Sequence, residues 1–196
     1  MTKKSATIGN KQTKNGLPRL VAKAVLPTRF GRFSIYGFEG GGPQQEAVAL
    51  VRGNLKGRVA PLVRVHSQCL TGDVLNSLRC DCRAQLEIAL KSIALEGRGL
   101  LIYEHQEGRG IGLLNKLRAY ELQDQGADTV EANERLGFDS DLRSYELPGA
   151  ILRYLGLHAV RLMSNNPEKV EAVEKAGVGG KAQRLVGFDR VHAAIL

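Results

Sequence analysis

Gln85-Leu-Glu-Ile-Ala-Leu-Lys-Ser-Ile-Ala-Leu-Glu-Gly-Arg-Gly-Leu-Leu-Ile-Tyr103 changes its hydrophobic period half-way, and that change decides the fold. Up to Leu95 the apolar residues recur at helical spacing, and Gly97 supplies a stop signal. Gly99–Tyr103 is then a short, nearly unbroken apolar run, as in a strand buried on both faces. The alternation continues downstream. It predicts an amphipathic helix over 111–125 closed by Gly126, a helix over 148–155, a strand over 159–163, and a helix over 167–176 with Pro167 in its first turn. Upstream, from Arg19 to Val65, strands dominate. Arg32–Phe38 alternates polar or small residues with apolar ones, 39–43 (Glu-Gly-Gly-Gly-Pro) is a loop, and 47–51 and 61–65 are further strands. The expectation is a mixed α/β (α+β) fold, with a strand-rich N-terminal part leading into alternating α and β units packed as one domain over residues 19–178. Residues 1–18 read as a disordered basic tail, and 179–196 as a divergent C-terminal tail.

A chain of 196 residues is long enough to bury a sizeable core. Its formal net charge is +8, from 28 Lys and Arg against 20 Asp and Glu. Lys3, Lys4, Lys11 and Lys14 lie in the first fifteen residues with no acid beside them, so half of the excess belongs to the tail. Only 5% of residues are aromatic, too few for the stacking platforms that single-stranded nucleic acids need. A small anionic ligand suits this charge better than a nucleic acid does. No apolar run approaches the ~20 residues of a membrane span. The first fifteen residues lack the apolar centre of a secretory signal, so the expected location is cytoplasmic.

The three cysteines, Cys69, Cys80 and Cys82, fall within fourteen residues. In a reducing compartment such a cluster points to metal binding or reactivity rather than to disulfides. Three thiolates suit Zn²⁺. His66 is the nearest residue able to close a structural Cys₃His site; without it the fourth position stays open for water, as in catalytic zinc. Buried apolar cysteines are the bland alternative. Glu107-Gly-Arg-Gly-Ile-Gly112 follows a strand and precedes a helix, where backbone N–H groups and Arg109 suit an anion; a helix-start turn with a solvated arginine is the competing reading. Ser164-Asn-Asn-Pro-Glu-Lys169 repeats the theme, either as a phosphate site or as ordinary capping. Asp141 and Arg143, two residues apart, make either a surface ion pair or a guanidinium activated by a carboxylate. Tyr120, on the 111–125 helix, is either a half-buried core residue or a proton donor.

Together these stretches form a pattern. Arg64-Val-His-Ser-Gln-Cys-Leu-Thr-Gly-Asp73, Arg79-Cys-Asp-Cys82, Gln106-Glu-Gly-Arg-Gly-Ile-Gly112, Asn115-Lys116 with Arg118-Ala-Tyr120, Leu122-Gln-Asp-Gln-Gly126, Asp128-Thr-Val-Glu-Ala-Asn133 and Asn165-Asn-Pro167 closely resemble GTP cyclohydrolase II. The similarity runs from about residue 20 to residue 178, in the same order and at matching spacings.

The resemblance implies a zinc enzyme that converts GTP and water into formate, pyrophosphate and 2,5-diamino-6-(5-phosphoribosylamino)pyrimidin-4(3H)-one, at the start of riboflavin synthesis or a related route. By position, Cys69, Cys80 and Cys82 would hold Zn²⁺ with water in its fourth place, for attack at C8 of the guanine. Tyr120 would assist that chemistry, Arg143 would attack the α-phosphate, and Asp141 would act as its base. Arg64, Val65, His66, Ser67, Gln68, Gln85, Glu107, Gly108, Arg109, Thr129, Ser164 and Lys169 match positions that contact GTP. Glu107 would select guanine over adenine if its carboxylate meets N1–H and the exocyclic amine. Mg²⁺ on the triphosphate and a homodimer are implied as well. The chain departs from the family pattern at Gln68 (usually glutamate), at His105 (usually arginine), at Ser164 (often threonine), and beyond Gly177. These departures motivate an alternative, a catalytically impaired GTP- and zinc-binding paralogue with a regulatory role.

Overall fold

The computed structural model describes residues 18–42, 45–139 and 141–182. The expectations for residues 1–17 and 183–196 lie outside them. Among the described residues seven strands, β1 to β7 in chain order, form one sheet in the order β1-β2-β3-β5-β4-β6-β7. β1 (Arg19–Thr28), β2 (Gly31–Glu39), β3 (Glu46–Arg52) and β5 (Gly99–Glu104) pair with one another antiparallel in that order. β4 (Leu62–Ser67), β6 (Ala159–Leu162) and β7 (Gly179–Ala182) continue from β5 in parallel. The mixed α/β expectation holds.

Residue parity sorts the core. Val63 and Val65 of β4, Leu100 and Ile102 of β5, and Ala47, Ala49 and Val51 of β3 face α4 (Glu146–Tyr154) and α5 (Pro167–Lys175), where Ile151, Leu152 and Val173 meet them. On the other face Leu62, Leu101 and Phe33 pack on Ala89, Leu90 and Ile93 of α1 (Cys82–Glu96). β4 and β5 are buried on both faces and thus serve two layers of helices, as parallel strands require.

This topology positions the site. From β4 the chain passes through α1 to β5 on one side. It then returns through α2 (Leu113–Asp124), α3 (Thr129–Arg135) and α4 to β6 on the other side of β4. The direction of winding reverses between β4 and β6. In open α/β sheets ligands bind in the crevice outside the strand C-termini at such a reversal.

Several boundaries differ from the sequence reading, for local reasons. α2 starts at Leu113 rather than Ile111 because Gly112, at φ 83°, is not helical. α4 starts at Glu146, two residues ahead of Pro148, since a first helical turn tolerates proline. α3, which no apolar period announced, opens on a capping box of Asp128 and Glu131. β7 carries the sheet four residues into the segment read as a divergent tail. Among the described residues no helix is long and apolar enough to cross a membrane.

Candidate active site

The thiol groups of Cys69, Cys80 and Cys82 lie within 4.8 Å of one another, and no fourth Cys, His, Asp or Glu among the described residues joins them. Two elements bring them together. Cys69 caps a single π-turn, Leu70–Val74, and its sulfur accepts the Gly72 N–H at 3.4 Å. Cys82 opens α1, where the helix N-terminus favours a thiolate. Gly72 makes room between them: a Cβ there would lie 2.7 Å from Cys80 Sγ, 3.0 Å from Cys82 Cβ and 3.2 Å from Cys69 Sγ. Three thiol sulfurs this close, with no side chain at Gly72 to crowd them, fit a thiophilic metal ion. Hydrogen bonds from the Cys80 and Cys82 thiols, with help from Lys116, pull the Cys69 thiol down; the same sharing raises Cys80 and Cys82.

His66 does not complete the cluster. Its Nε2 contacts both carboxylate oxygens of Asp73, at 3.0 and 3.2 Å, and its ring stacks on Tyr103. Burial lowers its pKa against the pull of Asp73.

α2 closes the centre from above. Lys116 Nζ donates to Cys69 Sγ at 3.0 Å and to Glu107 Oε1 at 2.8 Å, and these partners hold its pKa up although burial opposes them. The other Glu107 oxygen accepts the Leu70 N–H at 2.6 Å. Tyr120, one helical turn beyond Lys116, is half-buried, and its hydroxyl lies 3.1 Å from Thr71 Oγ1. Thr71 Oγ1 is in turn 3.6 Å from Cys69 Sγ. Glu107, Gly108, Arg109 and Gly110 form one 3₁₀ turn with Gly108 and Arg109 left-handed at φ 61° and 58°. Among the described residues Arg109 and Asn76 are the non-glycine residues at positive φ.

The reversal point between β4 and β6 gathers the cations. Arg64 Nη1 donates to the Met163 carbonyl at 2.7 Å, and Nη2 to Gln85 Oε1 at 2.5 Å. Gln85 Nε2 donates to Asp81 Oδ2 at 2.7 Å, which links the crevice to the thiol centre. Burial lowers Arg64 to about 10 against the pull of Asp81, so it stays charged at neutral pH. Lys169, from α5, donates to the Val65 carbonyl at 3.0 Å and is 6% exposed. Burial, then Arg64 and Arg143, push it down to about 7. Glu104, 2% exposed at the end of β5, is pushed up to about 7 by burial, with Lys169 opposing. Asn166 caps α5 through the Glu168 N–H at 2.8 Å, while the buried Ser164 accepts the Asn166 N–H at 3.1 Å.

Asp141 and Arg143 face each other directly. Arg143 Nε donates to both Asp141 oxygens, at 2.8 and 3.1 Å, and Nη2 joins them. The Arg143 N–H donates to Asp141 Oδ1 at 3.0 Å. Against the effect of burial, the pair holds the Asp141 carboxyl low and raises Arg143. Gln106 anchors this segment, exchanging two hydrogen bonds with the Ser144 backbone, at 2.6 and 2.8 Å. A cavity of about 760 Å³ is lined by Asp141, Arg143, Tyr145, Glu168 and Lys175 among others; it does not reach the thiols. Gln68 Oε1 and the Tyr145 hydroxyl are buried with no hydrogen-bond partner among the described residues. The structure thus joins Tyr120, Glu107 and Gly108 to the thiol centre, and Arg64, Val65, Gln85, Ser164 and Lys169 to the strand-end crevice. The Thr129 side chain lies outside the described residues.

Sequence reading assigned no role to Asp73, Tyr103, Glu104, Gln106 or Lys116. Lys116 had a usable signal, since it precedes Tyr120 by four positions and so shares its helical face.

Fold and site define an α/β protein whose three-thiol cluster is linked through Asp81 and Gln85 to a crevice bearing Arg64. The sequence profile described as GTP cyclohydrolase II matches residues 19–180, and the chain belongs to that family. The GTP cyclohydrolase-2 of Hahella chejuensis is 57% identical over 158 residues, 81% of this chain and 76% of that protein. That of Azotobacter vinelandii is 58% identical over the same shares. A riboflavin biosynthesis protein of Vibrio vulnificus is 54% identical over 83% of this chain and 44% of its own length. Among solved structures, a two-domain 3,4-dihydroxy-2-butanone 4-phosphate synthase from A. baumannii aligns with a TM-score of 0.44 and 21% identity, over 88% of this chain and 42% of that one.

Proposed function

We propose that the chain is a zinc-dependent GTP cyclohydrolase II. It hydrolyses GTP at C8 of the guanine and at the α-phosphate, giving 2,5-diamino-6-(5-phosphoribosylamino)pyrimidin-4(3H)-one, formate and pyrophosphate, as the first step of riboflavin synthesis or a related pathway. One observation carries the reading: three thiols converge around Gly72 and are wired through Asp81 and Gln85 to the buried Arg64 at the strand ends.

Zn²⁺ held by Cys69, Cys80 and Cys82 would supply a Lewis acid and an activated water near neutral pH. The chain's own residues do the rest. Tyr120, close to the thiols through Thr71, holds or moves a proton at the opening imidazole ring. Lys116 offsets thiolate charge. Glu107 contacts the guanine edge while bracing Lys116 and the Leu70 N–H. Arg64, Val65, His66, Ser67, Gln68, Gln85, Gly108, Arg109, Thr129, Ser164 and Lys169 make up the remaining GTP contacts. Several cations around a triphosphate stabilise charge moving onto the leaving pyrophosphate, with Mg²⁺ sharing that task. Arg143 forms the N–P bond as the bond to the pyrophosphate oxygen breaks, and Asp141, already in contact, takes the guanidinium proton. Water then releases the nucleotide.

A reducing cytoplasm suits the free thiols. The reading includes a homodimer, and neither a nucleic acid nor a membrane as partner. Incubating zinc-loaded protein with GTP and Mg²⁺ tests it: formate, pyrophosphate and the diaminopyrimidine should appear in equal amounts. GTP bound without turnover would establish the regulatory alternative instead.

A further inference from the structure

Asp73 has no place in the chemistry above, yet it is 5% exposed and its carboxylate collects donors from three directions. His66 Nε2 comes from β4 at 3.0 Å, the Tyr103 hydroxyl from β5 at 2.8 Å, and the Cys69 N–H from the π-turn at 3.0 Å. Its main chain is held too: the N–H donates to the Cys69 carbonyl at 2.7 Å, and the carbonyl accepts Arg83 Nη1 of α1 at 2.6 Å. His66 and Tyr103 sit opposite each other in the β4–β5 register and stack with ring centres 5.5 Å apart, so two of these donors are fixed by the sheet itself.

A buried carboxylate with such partners is an anchor. It ties the turn that carries Cys69 to two core strands and, through Arg83, to the helix that begins at Cys82. We propose that Asp73, with His66 and Tyr103, is the positioning group of the metal centre, setting Cys69 at the spacing from Cys80 and Cys82 that a metal ion needs. The inference rests on the metal-centre reading of the proposed function. Asp73 is not itself in the thiol cluster.

The test is Co²⁺ and Zn²⁺ titration of the reduced apoprotein against a competing chelator, with the thiolate-to-cobalt absorption band as a second readout. Asp73→Asn keeps the shape but points an amide N–H₂ at a donor. Partners that orient metal ligands typically contribute 10–100-fold to affinity, and about that loss is expected, with a weaker or shifted band. Tyr103→Phe keeps the stacked ring and removes one donor; a smaller loss in the same direction is expected, and this variant decides the matter if Asp73→Asn fails to fold. Folded variants that bind Co²⁺ with wild-type affinity and an unchanged band would overturn the proposal, reducing Asp73 to a fold-stabilising residue. Failure of the wild-type protein to bind either metal would instead sink the zinc reading.

Discussion

At the scale of single residues, the site depends as much on a missing side chain as on those present. Gly72 is needed for space and not for backbone freedom, since its φ is not among the positive values. A Cβ there would press within 2.7 Å of Cys80 Sγ in a cluster held from two sides. We expect Gly72→Ala to destabilise the fold by about 1–3 kcal/mol, the usual range for overpacking, and to lower metal stoichiometry measured by atomic absorption. Gly37→Ala, where nothing lies within 4 Å, is the control and should bind metal normally. The cysteines themselves were legible from their spacing, and so were Arg109, Asp141 and Arg143 as charged groups in turn-rich stretches. What spacing could not give was the company they keep. Whether His66 turns to the thiols or to Asp73 depends on the β4–β5 register, a long-range pairing that no local pattern encodes.

At the scale of elements, the period change across Gln85–Tyr103 read correctly because α1 buries one stripe and β5 buries both faces. Element ends were less legible: Gly112 and Pro148 act through backbone geometry that hydrophobic spacing does not report. The π-turn was invisible, because its residues are held by Cys69 and Asp73 rather than by helical periodicity. Two buried groups on different elements have consequences for pH. Glu104, ending β5, is raised to about 7, so between about pH 4.5 and 7 the folded state keeps a proton that the unfolded chain has lost, and stability falls as pH rises. Lys169, on α5, is lowered to about 7, so above pH 7 the unfolded chain keeps a proton that the folded state has lost, and stability rises with pH. Urea midpoints should therefore pass through a minimum near neutrality. Lys169→Met should flatten the rising limb between pH 7 and 9, and Glu104→Gln the falling limb between pH 5 and 7. A rising limb that survives in Lys169→Met would show that deprotonation of Lys169 is not its source.

At the scale of the whole molecule, the reversal of winding between β4 and β6 explains why residues a hundred positions apart share one crevice. Arg64 reaches the Met163 carbonyl across it, and Lys169 reaches back to Val65. The thiol centre sits on the connection that leaves β4, and the connection after β5 brings Glu107 and Lys116 to it. The alternation of α and β units foretold such an arrangement in outline, but strand order is set by which faces must be covered, and that is decided only when the chain packs. The central claim is that the thiol centre and the cationic crevice act as one hydrolytic site. Its most direct test is to strip the protein of metal under reducing conditions, measure GTP turnover by formate release, and then add back one equivalent of Zn²⁺. We expect turnover to vanish in the apoprotein and return at one Zn²⁺ per chain, with Cys80→Ser unable to recover. Undiminished formate release from metal-free protein would contradict the account.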